Sequence, residues 1–198
     1  DGNAAILVGD KVVEIDLSSV AVKHGMSCCT GITPDATYVV GWYWEYDEAN
    51  SYFAQQYGAV IPFCYDVLKD RVTVPVEGER IYNENAATAI KAVAPDRTLL
   101  GYQQSQGIHS IIWADENTPY EYVHFEYNDE YEPLFSLGDT QNLLSQSGRY
   151  IYGKATDFAN GQAVLPAAYD RQTEQLYTFT GGSVSAMSDQ GFAFINDS

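Results

Sequence analysis

Thr33-Pro34-Asp35-Ala36-Thr37-Tyr38-Val39-Val40-Gly41 is the stretch from which the fold is read, because it comes back along the chain. It returns one residue shorter as Ala94-Pro95-Asp96-Arg97-Thr98-Leu99-Leu100-Gly101, and again as Ser145-Gln146-Ser147-Gly148-Arg149-Tyr150-Ile151-Tyr152-Gly153. A degenerate copy is Ser188-Asp189-Gln190-Gly191-Phe192-Ala193-Phe194. Each copy has a small approach residue, a polar turn and a β-rich run. Proline presets φ for the turn, and the Asp carboxylate bonds nearby backbone N–H groups. Val, Ile, Tyr and Phe then favour a pleated, half-buried strand. The motif is a hairpin, and the spacing of its copies makes the chain a repeat array.

A second hairpin follows each copy. Ile61-Pro62-Phe63-Cys64-Tyr65-Asp66 precedes Asp70-Arg71-Val72-Thr73-Val74-Pro75, and Leu165-Pro166-Ala167-Ala168-Tyr169-Asp170 precedes Thr173-Glu174-Gln175-Leu176-Tyr177-Thr178-Phe179. Ile111-Ile112-Trp113-Ala114-Asp115 does the same before Tyr120-Glu121-Tyr122-Val123-His124-Phe125. Two hairpins per unit make four antiparallel strands, which is a propeller blade. The expected fold is therefore all-β, a β-propeller or propeller fragment of about four blades. Whole blades are expected at 28–78, 85–127 and 137–180. Residues 1–20 read as the second hairpin of a blade and 183–198 as a first hairpin, so the termini are expected to share one blade and hide two sheet edges. Val39, Leu99 and Ile151 are expected at equivalent places in successive blades. The Ala-rich run Asn85–Ala94 would pass for a short helix, but repeat phase makes it an innermost strand.

TPDATYVVG and SQSGRYIYG resemble the "SPDGRYVVG" hairpin of WD40-, TolB- and YVTN-like propellers, with "YD" before the next turn. The resemblance spans nearly the whole chain and implies a fold and a repeat phase. It carries no catalytic residue with it, and the WD dipeptide is absent.

The composition excludes some functions. Lys plus Arg number 10 against 27 acids, a formal net charge of −17. Such a surface repels DNA, RNA and anionic membranes, which are bound chiefly by Lys and Arg. Glycans, cationic ligands and divalent metals stay open. No apolar run approaches the roughly 20 residues of a membrane span. Cys28, Cys29 and Cys64 make a poor disulfide framework and lack zinc spacing, so they read as buried small hydrophobes. His24, His109 and His124 are too scattered to propose a metal site, and no cofactor motif is present. Chain start at Asp1 without Met reads as a mature, processed or excised product. Low Lys with abundant Tyr, Asn and Gly reads as an exported, extracytoplasmic bacterial protein.

No nucleophile, zinc or phosphate-loop signature is found. The unusual stretch is Gly41–Tyr57, where seven of seventeen residues are aromatic against 14% in the whole chain. Trp42, Tyr43, Trp44, Tyr46 and Tyr52 are the candidate ligand-contact residues, since such side chains stack on sugars or grip another protein. The alternative is structural, with Trp42 and Trp44 packed between blades and Tyr43 outside. A second acidic and aromatic stretch, Tyr120–Tyr131, carries Glu126, Asp129 and Glu130 but matches no calcium loop. The expected function is a non-enzymatic binding module for a glycan, peptide or partner protein. Its rivals are a carboxylate-based hydrolase at the propeller axis and an excised part of a larger ring.

Overall fold

The structure, a computed structural model, describes residues 2–21, 24–45, 59–78, 87–104, 108–127, 133–136, 143–157 and 163–196. All regular structure among them is antiparallel strand, and no helix is present. β1 (Ala5–Val8) and β2 (Lys11–Glu14) form a two-stranded sheet. β3 (His24–Ile32), β4 (Tyr38–Glu45), β5 (Ala59–Asp66) and β6 (Arg71–Thr73) form the first complete blade, in that spatial order. β7 (Ala87–Val93), β8 (Leu99–Gln104), β9 (Ile108–Trp113) and β10 (Glu121–Tyr122) form the second. Residues 87–93 of the Ala-rich run are thus an edge strand, as repeat phase requires, and their helix propensity loses to pairing with β8.

The third sheet departs from the expected limits. It holds β11 (His124–Tyr127), β12 (Pro133–Ser136), β13 (Leu143–Leu144), β14 (Tyr150–Asp157), β15 (Ala163–Asp170) and β16 (Gln175–Thr178). The unit expected at 85–127 therefore ends at β10, and β11 crosses to the next sheet. Val123 marks the crossing, because its side chain is buried in the core between the second and third blades. The first strand of the third blade is split, with Phe135 of β12 opposite Asp157 and Leu144 of β13 opposite Ile151. β17 (Ser183–Met187) and β18 (Ala193–Asn196) make a final two-stranded sheet.

The repeat is exact enough to be read in hydrogen bonds. Ala36, Arg97, Gly148 and Gly191 all have left-handed φ, at 57°, 69°, 78° and 88°. Their N–H groups donate to Thr33, Ala94, Ser145 and Ser188 in the same order, at 2.8–3.0 Å. Gly41 faces Phe63, Gly101 faces Ile111 and Gly153 faces Ala167 across the second and third strands. Two residues before each of these glycines stand Val39, Leu99 and Ile151, and each faces the sheet that precedes its own, as expected from the repeat phase.

Three apolar cores separate the sheets in chain order. Val39, Tyr43, Phe63 and Tyr65 of the first blade pack with Ala4, Ile15 and Leu17. Tyr38, Val40 and Cys64 face Ile90, Leu99, Ile111 and Trp113 of the second blade. Leu100 and Val123 face Ile151 and Ala167 of the third. Alternation along β4 sends Val39 and Tyr43 one way and Tyr38 and Val40 the other, which is how one strand feeds two cores. Two expectations fail. Of the cysteines only Cys64 is buried, while Cys29 is half-buried and Cys28 exposed, because the alternation turns Cys28 away from the first core. The shared blade is also not closed within the chain, since β1–β2 and β17–β18 stay separate two-stranded sheets.

Candidate functional site

The aromatic stretch begins on β4. Tyr43 points into the first core with 2% exposure, edge-on to His24 at 6.4 Å, and its hydroxyl donates to the Val20 carbonyl at 3.3 Å. Burial, helped by the nearby Glu45 carboxylate, pushes its phenol up to about 12. Tyr43 is therefore a core residue with its polar handle already satisfied, which corrects the expectation that it contacts ligand. It also corrects the alternative that placed it outside. Trp42 and Trp44 lie on the opposite face of β4, beyond Val40 and toward the second blade, and both are half-buried. Their cross-strand neighbours are Pro62 and Val60. Tyr46 and Tyr52 lie outside the described residues. The strand thus brings two of the five nominated residues to one partly open face, at the end from which the chain runs into residues 46–58.

The opposite end of the blades carries a polar seam that the sequence reading did not nominate. There the turns between first and second strands meet the turns that follow the "YD" pairs. Arg149 forks onto Asp170, with Nε to Oδ1 at 3.0 Å and Nη2 to Oδ2 at 2.6 Å, and Gln172 N–H adds a bond at 3.0 Å. Between blades, Arg97 lies 4.5 Å from the centre of the Tyr38 ring and bonds Asp66 at 3.3 Å. Lys69 pairs with the same carboxylate at 3.0 Å. Tyr38 in turn donates to the buried Glu116 at 2.7 Å. Ser147 reaches forward to Asp189 of the last sheet through both N–H and hydroxyl. A shallow open cleft of about 410 Å³ lies on this seam, lined by Asp96, Ser147, Gly148, Arg149, Arg171 and Gln172. The detectable sequence signal was an Arg in two of the turn copies, Arg97 and Arg149, and an Asp ending two of the third strands, Asp66 and Asp170.

Asp66, Asp170 and Asp189 are held ionised. The Arg149 fork keeps Asp170 well below the usual carboxylate range despite burial. Burial pushes Asp66 up, but the bonds from Lys69 and the Arg97 charge outweigh it and leave it lowered. Ser147 lowers Asp189. A general acid for glycoside cleavage needs a raised pKa, which is the opposite of what holds at Asp66, Asp170 and Asp189. Arg97–Asp66 and Ser147–Asp189 tie neighbouring sheets together, and Arg149–Asp170 ties two turns of one blade. The linkage follows from the sign: folded pKa values below the unfolded value of about 3.9 contribute stability above that pH, and it is lost as pH falls through the folded values. We expect the melting temperature to hold between about pH 7 and pH 5 and to fall steeply below about pH 4. Asp170→Asn should flatten the acid limb and lower the neutral plateau. Thermal unfolding followed by circular dichroism across that range checks both; an unchanged acid limb in Asp170→Asn would remove the seam from the account.

No family model matches the chain, and no curated protein matches it. Among solved structures, TolB from Acinetobacter baumannii aligns with 80% of this chain and 33% of its own, at 14% identity and a TM-score of 0.48. An oligogalacturonate lyase in complex with manganese aligns with 93% of this chain and 55% of its own, at 14% identity and a TM-score of 0.55. The class that the sheets define is thus the β-propeller, with successive four-stranded antiparallel blades packed face to face. The chain spans 33% and 55% of the lengths of these two structures, and the likeness is one of fold.

Proposed function

We propose that this chain is a non-enzymatic, exported binding module that presents the end of β4 and the residues after it to a neutral glycan. One observation carries the reading: Trp42 and Trp44 share a face of β4 and are only half-buried where the strand leaves the blade. Indole faces stack on the C–H faces of sugars while the N–H finds a hydroxyl, and the net charge of −17 selects against anionic ligands. Tyr46 and Tyr52, on the residues that follow, extend the same chemistry. The Lys-poor, Tyr-rich composition supports export.

Titrating a panel of neutral oligosaccharides while following tryptophan fluorescence tests this. Trp44→Ala is expected to weaken the best ligand at least ~10-fold, the scale of one lost aromatic anchor. Its melting temperature should stay close to that of the parent. Binding of a peptide panel with no response to glycans, or a Trp44→Ala variant that loses stability and keeps affinity, overturns the proposal.

A further inference from the structure

The gap between the second and third blades lacks a contact that the gap before it has. Tyr38 and Asp66 face each other across neighbouring strands of the first blade, and Tyr150 and Asp170 do so in the third. In the second blade Leu99 stands opposite Trp113, which places Thr98 and Ala114, one residue beyond, at that position. Arg97 crosses from the second blade to the Tyr38 ring and Asp66 of the first. Arg149 meets no such pair behind it and stays on Asp170 and Tyr150 of its own blade. The cleft of about 410 Å³ opens in this second gap, and packing fixes its floor. Gly148, at φ 78°, lies so near the second blade that a Cβ would come within 2.4 Å of the Ala94 methyl. That contact sets Asp96, two residues after Ala94, on one wall of the cleft. It sets Arg171, whose Nη1 donates to the Gly148 carbonyl at 2.7 Å, on the other. Neither charge is neutralised. Of the four described arginines, Arg71, Arg97 and Arg149 stand 3.9, 3.3 and 2.6 Å from carboxylates, while the half-buried Arg171 pairs with none among the described residues. Asp96 is exposed, its Oδ1 accepts the Thr98 N–H at 3.0 Å, and no cation pairs with it among the described residues. The two charges line one cleft without reaching each other.

We propose that this cleft binds a free α-amino acid, with its carboxylate on the Arg171 guanidinium and its ammonium on the open oxygen of Asp96. A simple anion would meet Asp96, with Asp170 bonded to Arg149 and Asp189 bonded to Ser147 close by. A simple cation would meet Arg171 and Arg149. A zwitterion gives each wall the charge it lacks, and having no net charge it is not repelled by the −17 of the protein. Guanidinium holds a carboxylate through two parallel N–H bonds, and of its five N–H groups the Gly148 carbonyl takes one. Ser147 and Gln172 line the remainder and offer polar contacts to a side chain. The volume falls in the range of about 300–1,000 Å³ usual for small-molecule sites. This site lies at the opposite end of the blades from Trp42 and Trp44, and it is independent of the glycan reading.

Isothermal titration calorimetry of the full chain with glycine, L-alanine, L-glutamine and L-phenylalanine, each in turn, is the test. At least one is expected to bind with a dissociation constant of about 1 mM or below. The N-acetyl and the amide derivatives of the best of them each keep one of the two charges, and both should bind at least ~10-fold more weakly. Asp96→Asn alters an exposed side chain, so it should leave the melting temperature unchanged while weakening binding at least ~10-fold. Arg171→Gln should weaken it as much, and Trp44→Ala should leave it as it is. Should Arg171→Gln fail to fold, Asp96→Asn and the blocked derivatives decide alone. No binding of any of the four amino acids, equal binding of a blocked derivative, or an Asp96→Asn variant that binds like the parent would each overturn the proposal.

Discussion

Gly41→Ala is expected to cost about 3 kcal/mol or more, a large share of the roughly 5–15 kcal/mol by which a domain of this size is stable. The cause is a crossing of three strands with no room for a methyl group. A Cβ at Gly41 would lie 2.2 Å from the Cys28 carbonyl oxygen on β3 and 2.7 Å from the Phe63 ring on β5. The oxygen belongs to backbone already paired in the sheet, and Phe63 is fully buried, so neither neighbour can yield cheaply. Gly101 repeats the situation one blade on, with Ala89 oxygen at 2.4 Å and the Trp113 ring at 2.8 Å, and Gly101→Ala should cost a similar amount. Gly2→Ala is the control, because a Cβ there meets open space. Urea unfolding of the three variants measures the contrast. Equal midpoints for Gly41→Ala and Gly2→Ala would mean that the strands at this crossing are not packed as described.

That glycine also shows why the fold could be read from the sequence while the site could only partly be. Each blade repeats a turn with a left-handed residue, an apolar residue facing backward and a glycine two places on, so every copy confirms the phase of the others. Repetition supplied the strand assignment of 87–93 against its own helix propensity. It supplied no boundary between the second and third blades, because that is set by Val123 entering a core that exists only once both sheets are stacked. Tyr43 was misread for a related reason. Alternation says that Trp42 and Tyr43 face opposite ways, but which way is inward depends on the connector 15–21 that covers one side of the first blade with Ile15, Leu17 and Ala21. The arginine–aspartate seam was illegible because Arg97 and Asp66 meet only when turns of different blades converge on one end of the stack, and Arg149 and Asp170 only when neighbouring strands of one blade pair in register.

The third tryptophan should behave as the converse of the first two. Trp113 is 1% exposed, faces the first blade, and packs edge-on against Tyr120 at 5.4 Å. Its indole N–H donates to the Val76 carbonyl at 2.9 Å, and Val76 N–H donates to the Glu116 carbonyl at 3.0 Å. One side chain therefore fills the core between two blades and ties down the connector that joins them. Trp113→Ala removes the ring from a site walled by strand backbone that cannot collapse, and should cost about 3–5 kcal/mol. Trp113→Phe keeps most of the packing but strands the Val76 carbonyl, and should cost about 1–3 kcal/mol. Trp44→Ala, at a half-buried strand end, should stay near or below about 1 kcal/mol. Denaturant midpoints rank the three, and ligand titration separates them again: the Trp113 variants that remain folded should keep the parent affinity. If Trp44→Ala proves as destabilising as Trp113→Ala, then Trp44 belongs to the core between the blades and the end of β4 has no aromatic left to offer a ligand.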